Sequence, residues 1–333
     1  MNRPHWICVS NADSGQLIVL RRRSDAGLDI HHTLDLGGQL MPMAHSPGGA
    51  RLYVARRSEP WAVITLALDQ ISGRLSVLGE TALPASVAYL SLDVSGRFLF
   101  AASYHSHLLV VSSIRPDGQV APAHQIVPTG AHAHCVVASP CNRYVLASCL
   151  GSDEVRQYPF DSLGGRLMEA QQTAWRADSG SGPRHLRFFG DRVYLLNELN
   201  ATVQVLSFDA QEGRLALLQT ESILPPGFTG KPWAADLCLT PEGQLLVCSE
   251  RTSSTLAVFS VSSEGLPLRK LGHAQTEEQP RGIAICAPDQ LLVVGQLSNH
   301  LSSYRIDLPD GVLRLQQRLP MGRNPNWIEV MSS

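Results

Sequence analysis

A tight turn followed by a short apolar run returns along this chain at almost constant spacing. Ser46-Pro47-Gly48-Gly49 precedes Leu52-Tyr53-Val54-Ala55, Asp93-Val94-Ser95-Gly96 precedes Phe98-Leu99-Phe100-Ala101, and Ser139-Pro140-Cys141-Asn142 precedes Tyr144-Val145-Leu146-Ala147. Gly190-Asp191 then leads into Val193-Tyr194-Leu195-Leu196, Thr240-Pro241-Glu242-Gly243 into Leu245-Leu246-Val247-Cys248, and Ala287-Pro288-Asp289 into Leu291-Leu292-Val293-Val294. The interval is 47 residues from Pro47 to Val94, 46 on to Pro140, and 47 from Pro241 to Pro288. Short strands recurring every roughly 40–50 residues mark the blades of a β-propeller. A β-sandwich, the other all-β possibility, gives no reason for such a period.

The remainder of each unit agrees. A polar loop follows the apolar run, and then a third, alternating strand such as Trp61-Ala62-Val63-Ile64, Thr202-Val203-Gln204-Val205 or Leu256-Ala257-Val258-Phe259. A glycine turn, as in Ser72-Gly73-Arg74-Leu75 or Glu212-Gly213-Arg214-Leu215, opens a fourth. Four strands joined by three hairpin turns make a blade. Six units are complete, and the two ends supply a seventh. Trp327-Ile328-Glu329-Val330 reads as a lone first strand, while Trp6-Ile7-Cys8-Val9, Gln16-Leu17-Ile18-Val19 and Ile30-His31-His32-Thr33 read as the second, third and fourth. The expected fold is an all-β, seven-bladed propeller with four antiparallel strands per blade and one blade closed by both termini. Closure removes the free sheet edge that would otherwise invite aggregation. No linker or charge run interrupts the repeat, so residues 1–333 read as a single domain.

Composition narrows the class of function. Apolar residues make up 44% and charged residues 17%, which separates the chain from disordered sequences. A formal net charge of -2 speaks against nucleic acid or an anionic membrane as partner. The seven cysteines, Cys8, Cys135, Cys141, Cys149, Cys238, Cys248 and Cys286, are odd in number, have no C-x-x-C spacing and lie mostly in or beside strand patterns. Reduced thiols of a cytoplasmic protein fit that distribution better than a disulfide frame or a zinc site. The stretch from Met1 to Trp6 lacks the charged-then-apolar order of a signal peptide, and no apolar run approaches the roughly 18 residues of a membrane span.

The repeat also places residues. A blade's first strand crosses the ring and the second returns, so the segment before one and the segment after the other share a face. Met41, Val87, Ala88, His134, Arg184, Ala234, Ala235 and Arg281 stand just ahead of the first strands or at their start. Arg57, Tyr104, Cys149, Glu198, Glu250 and Gln296 stand at the exits of the second strands. Register therefore brings His134, Arg184, Glu198, Glu250, Arg251 and Arg281 from different blades to the mouth of the central channel, an ordinary place for a ligand site.

An imidazole there can act as a general base near neutral pH. Twelve histidines make a loop role common, and it is the register with two arginines that singles out His134. Arg184 and Arg281 each follow a proline, and their guanidinium forks suit a phosphate or a developing oxyanion. A salt bridge to Glu198 or Glu250 is the plainer use. Glu198 can take a proton, steady His134 or pair with Arg184; Arg251 is a further phosphate candidate. Trp233 and Asp236 suit shaping the pocket and pinning a loop. His132 with His134, and His105 with His107, repeat a metal-ligand spacing, but no third ligand is identifiable and no metal is expected. There is no Gly-x-Ser-x-Gly elbow and no P-loop. These residue types suit water addition to a carbonyl, or proton abstraction beside a carboxylate, in an anionic substrate.

Gly182-Pro183-Arg184-His185, Asn197-Glu198-Leu199-Asn200, Trp233-Ala234-Ala235-Asp236, Glu250-Arg251-Thr252 and Gln279-Pro280-Arg281-Gly282 occur in that order, with Gln39-Leu40-Met41-Pro42-Met43 and the stretch from His134 to Pro140 upstream. Together these motifs resemble the propeller-type bacterial 6-phosphogluconolactonases, which are related in fold to the fungal carboxymuconate lactonising enzyme. The resemblance implies hydrolysis of 6-phospho-D-glucono-1,5-lactone to 6-phosphogluconate in the pentose phosphate pathway. It implies catalytic roles for His134, Glu198, Arg184 and Arg281. Arg251, Glu250, His185, Asn197, Trp233, Asp236 and His132 are the expected substrate-binding residues. No cofactor is implied, the expected partner is a phosphorylated sugar lactone, and the chain is expected as a monomer or homodimer. A lactonase for another acid, such as a muconate, and a non-catalytic binding propeller are the alternatives.

Overall fold

The computed structural model describes residues 5–168, 174–262, 267–308 and 310–331; Met1 to Pro4, part of the stretch read above for a leader, lies outside them. Seven antiparallel sheets stand around a channel. Their innermost strands are Leu40–His45, Tyr89–Leu92, Ala133–Ala138, Pro183–Phe189, Ala234–Leu239, Pro280–Ala287 and Pro325–Met331, numbered here as blades 1 to 7. Each inner strand packs on the next, and the seventh on the first, so the ring closes.

Blade 7 is built from both ends of the chain, as the sequence suggests. Pro325–Met331 lies innermost, followed by His5–Asn11, Gln16–Arg22 and Leu28–Asp35, with Ile7 opposite Val330 and Val9 opposite Ile328. Blade 3 departs slightly from the four-strand pattern: its outer edge is formed by two pieces, Arg166–Leu167 and Ala174–Arg176, both paired with Glu154–Asp161. Among the described residues there is no α-helix, only a 3-10 turn at Leu150–Ser152.

Burial follows position in the blade. The second strand of blade 2, Phe98–Ser103, is buried throughout because neighbouring blades cover both of its faces, whereas the outer strand of blade 1, Leu75–Ala82, is largely open. Hairpin glycines seal the joints between blades. Gly213 has φ +70°, and a Cβ there would lie 2.3 Å from Tyr144 Cε1; Gly73 has φ +72° and meets the Trp6 ring in the same way. Both positions need a left-handed backbone and the absence of a side chain.

Near the mouth, six of the seven inner strands slip register against their partners. His134 is the extra residue between the pairs Ala133–Cys149 and Cys135–Ser148. Arg184 falls likewise between Pro183–Asn197 and His185–Leu196, and Arg281 between Pro280–Gly295 and Gly282–Val294. Such a bulge takes a residue out of the ladder and re-aims its side chain. Ser148 stitches one bulge to the next blade: its Oγ accepts from Cys135 N at 3.1 Å and donates to Arg184 O at 2.5 Å.

Candidate active site

The bulged Arg184 is 1% exposed. Its Nε donates to Glu198 Oε2 at 2.7 Å, and its Nη1 reaches the carbonyl of Ala235 and, at 3.1 Å, His185 Nε2. Nη2 makes no hydrogen bond among the described residues. Glu198 sits at the exit of the second strand of the same blade. Its Oε2 is also 2.9 Å from Arg251 Nη2, and its Oε1 accepts from Trp233 Nε1 at 3.2 Å. Burial works to raise the Glu198 carboxyl, but the charges of Arg184 and Arg251 prevail and hold it below the usual carboxylate range. Arg251 lies 3.7 Å above the Trp233 ring and donates to the carbonyls of Trp233 and Ala234 at 3.1 and 3.0 Å. Beside them opens a pocket of about 240 Å³ lined by Glu198, Leu199, Lys231, Pro232, Trp233 and Thr252.

His185 and Asp236 form a buried support under Arg184. A guanidinium can only donate, so His185 Nε2 is the acceptor, and Nδ1 carries the proton given to Asp236 Oδ1 at 2.7 Å. Asp236 also accepts from the backbone nitrogens of Leu237 and Ile283 at 2.9 and 3.2 Å, clipping blade 5 to blade 6. Both side chains were expected to bind substrate; the structure engages them with each other and with Arg184, and both are buried, at 2% and 7% exposed. Glu250, also expected to bind substrate, is fully buried and turns its carboxylate onto its own loops, accepting from Trp233 N at 2.7 Å and from Ser253 N and Oγ at 2.6 Å. Asn197 is buried, donating to Thr202 Oγ1 and Gln204 Oε1 at 2.9 and 3.0 Å.

The His134 ring lies between Tyr104, with centroids 5.9 Å apart and edge-on, and His185, 5.1 Å away. Neither ring nitrogen hydrogen-bonds to the described protein, and Nδ1 is buried without a partner. The contact expected between Glu198 and His134 is not made, because the carboxylate is turned toward Arg184, Arg251 and Trp233. Burial first, then the charges of Arg184, His185, Arg281 and Arg251, pushes the His134 imidazole well below its ordinary value, so it is neutral at pH 7. His132 stacks on Tyr104 at 4.3 Å, and its Nδ1 donates to Tyr104 O at 3.1 Å, so it supports that ring.

Arg281 stands half-buried with no hydrogen bond or ion pair among the described residues. Burial, then Arg184, Arg251 and Arg57, push its guanidinium well below the ordinary value, which puts all four arginines within reach of one field. Arg57 and Tyr104 were not singled out from the sequence as site residues. Both occupy the same register row as Glu198, at second-strand exits, and that row was the signal. No cluster of three histidine, cysteine, aspartate or glutamate side chains that could hold a metal occurs among the described residues. Two donor forks, a neutral unbonded imidazole and a shielded carboxylate can bind an anion and move a proton.

The family model described as lactonase, seven-bladed β-propeller, matches residues 6–330. The chain is 37% identical to the 6-phosphogluconolactonase of Serratia proteamaculans over 330 residues, and 36% identical to that of Pectobacterium carotovorum over 329, covering 98% of each chain in both cases. A solved periplasmic gluconolactonase of Pseudomonas aeruginosa superposes with a TM-score of 0.91 at 27% identity, covering 99% of both chains. A protein from Lactobacillus plantarum shares the fold, with a TM-score of 0.87 at 24% identity over 98% of this chain and 99% of that one. The chain therefore belongs to the seven-bladed β-propeller lactonase family.

Proposed function

We propose that this chain hydrolyses 6-phospho-D-glucono-1,5-lactone to 6-phosphogluconate, as a carboxylic-ester hydrolase of the pentose phosphate pathway. The observation that carries this reading is the mouth itself: Arg184 and Arg251 share one carboxylate, Glu198, the charges of Arg281 and, through it, Arg57 act on the same group, and His134 stands unbonded beside them. A dianionic phosphate and a developing oxyanion both suit that excess of positive charge. Relatives named 6-phosphogluconolactonase that align over 98% of their length support the substrate.

His134 takes a proton from water as the water oxygen bonds to the lactone carbonyl carbon. Charge gathers on the carbonyl oxygen, facing Arg184 Nη2. Collapse breaks the ring carbon–oxygen bond, and the proton passes from His134 to the departing ring oxygen; the free acid then ionises. A positioned base contributes about 10²–10⁴-fold, and one oxyanion donor roughly 3–4 kcal/mol. Substrate phosphate offsets part of the field of the arginines, so the imidazole is a stronger base with substrate bound than without it. Glu198 keeps Arg184 and Arg251 in place. The working unit on this reading is the whole ring, one domain over residues 1–333. It acts without cofactor or metal, as monomer or homodimer, with no nucleic-acid partner.

Among the described residues no helix is long and apolar enough to cross a membrane. We place the protein in the cytoplasm, which suits seven cysteines of which none is in a disulfide and five are buried. The Pseudomonas likeness favours one second reading, a lactonase for an unphosphorylated sugar acid. An assay coupled to 6-phosphogluconate dehydrogenase, corrected for spontaneous ring opening, tests the first; gluconolactone in a pH-indicator assay tests the second. Turnover confined to the unphosphorylated lactone would replace the first reading with the second.

A further inference from the structure

Four guanidiniums gather at the mouth, but they are not equivalent. Arg184 and Arg251 share the carboxylate of Glu198. Arg281 has no polar partner among the described residues, and Arg57 has only a long contact from Nε to Ser86 Oγ at 3.4 Å. The lack of a partner at Arg57 is not a shortage of carboxylates nearby. Its neighbour Arg56 turns outward and forms a two-point pair with Glu80 at 3.1 and 2.6 Å. Arg57 instead points inward, half-buried, with its backbone nitrogen held by Gln39 O at 2.7 Å.

Inner strands of blades 6 and 1 flank that of blade 7, so Arg281 and Arg57 reach the mouth from either side of the blade that joins the chain ends. Burial disfavours the charged form of both, and at Arg281 the charge of Arg57 adds to it after those of Arg184 and Arg251. Two like charges held together without a counter-ion are unfavourable alone and favourable around a doubly charged anion. A phosphate monoester is such an anion near neutral pH, and its oxygens accept from planar forks.

We propose that Arg57 and Arg281 together form the phosphate subsite, and that Arg57 sets the preference for a phosphorylated over an unphosphorylated lactone. This rests on the function proposed above for the same mouth, but it is tested separately from it. Arg251, the other candidate for the phosphate, is instead tied down: it pairs with Glu198, donates to the carbonyls of Trp233 and Ala234, and lies over the Trp233 ring.

The test compares wild type with Arg57→Ala, Arg57→Lys and, as a control on the outer side, Arg56→Ala. Binding of inorganic phosphate is measured by calorimetry, and kcat/KM is measured for 6-phosphogluconolactone and gluconolactone. Arg57→Ala is expected to weaken phosphate binding at least tenfold and to lower the ratio of kcat/KM, phosphorylated over unphosphorylated, by a similar factor. Arg57→Lys should recover part of both, and Arg56→Ala should stay within twofold of wild type. Phosphate affinity unchanged in Arg57→Ala overturns the subsite, as does an equal loss on both lactones with affinity retained. Phosphate binding through Arg57 in a protein that opens no phosphorylated lactone upholds the subsite and defeats the proposed function instead. Thermal unfolding of each variant keeps loss of fold apart from loss of binding.

Discussion

Arg184 Nε and Arg251 Nη2 meet the same oxygen of Glu198, at 2.7 and 2.9 Å, from blades 4 and 5. One carboxylate thus compensates two nearly buried cations and locks two blades together at the mouth. Removing one member of a buried ionic group leaves the other charges uncompensated, which is costlier than never having built it.

Glu198→Gln is therefore expected to destabilise the fold by about 3 kcal/mol, measured by urea unfolding at pH 7. The pH dependence fixes the origin. A carboxyl held below its usual range contributes stability above the unfolded-state value and loses it as pH falls through the lower folded-state value. The wild-type and Glu198→Gln stability curves should converge at acid pH. A constant gap down to the acid limit would mean that the variant disturbs packing and not charge.

His134→Ala should lower lactone turnover by at least about tenfold, with substrate affinity much less affected. Steady-state kinetics on a variant of native circular dichroism checks this. Unchanged turnover would remove His134 from the chemistry.

Folding stability should fall as pH drops below about 6.5, the ordinary histidine value. His134 and His185 are both pushed well below it, mainly by burial and then by the charge of Arg184. The unfolded chain then binds protons that the folded chain refuses, so acid favours unfolding. His134→Gln should make this slope shallower between pH 6.5 and 5, as read by denaturant midpoints; an identical slope would assign the effect elsewhere.

Arg281→Met should stabilise the unliganded protein by about 0.5–2 kcal/mol while weakening phosphate-dependent turnover. The charged form of Arg281 is disfavoured by burial and by three neighbouring arginines, and methionine of similar length removes that cost. Differential scanning calorimetry without phosphate measures the gain. A lower melting temperature would show that the guanidinium contributes to the fold after all.

The ring was legible in the sequence because its period survives in the turns from Pro47 to Pro288, even where individual turns vary. Closure through Trp327 and Trp6 was legible too, since the two ends carry complementary parts of one blade. Register also brought His134, Arg184, Glu198 and Arg281 to one face. It could not say how the side chains turn. Glu250 points into its own loop, onto Ser253 and the Trp233 nitrogen, and His185 is bonded between Arg184 and Asp236. Glu198 faces the arginines instead of His134, held by Arg184 of its own blade and by Arg251 and Trp233 of the next. Spacing along one chain fixes which face a residue reaches, whereas the partner it meets is set by the loops around it, of its own blade and of the next.

The register slip that frees His134, Arg184 and Arg281 from their ladders also makes them replaceable. A residue outside the pairing scheme can be exchanged without breaking the backbone ladder around it, so only its side-chain partners, such as Glu198 for Arg184, have to change with it. Six such sockets ring the opening, one on each of six blades. The architecture thereby separates what evolution must keep, the circle of sheets, from what it can vary one blade at a time, the set of groups shown to a bound molecule.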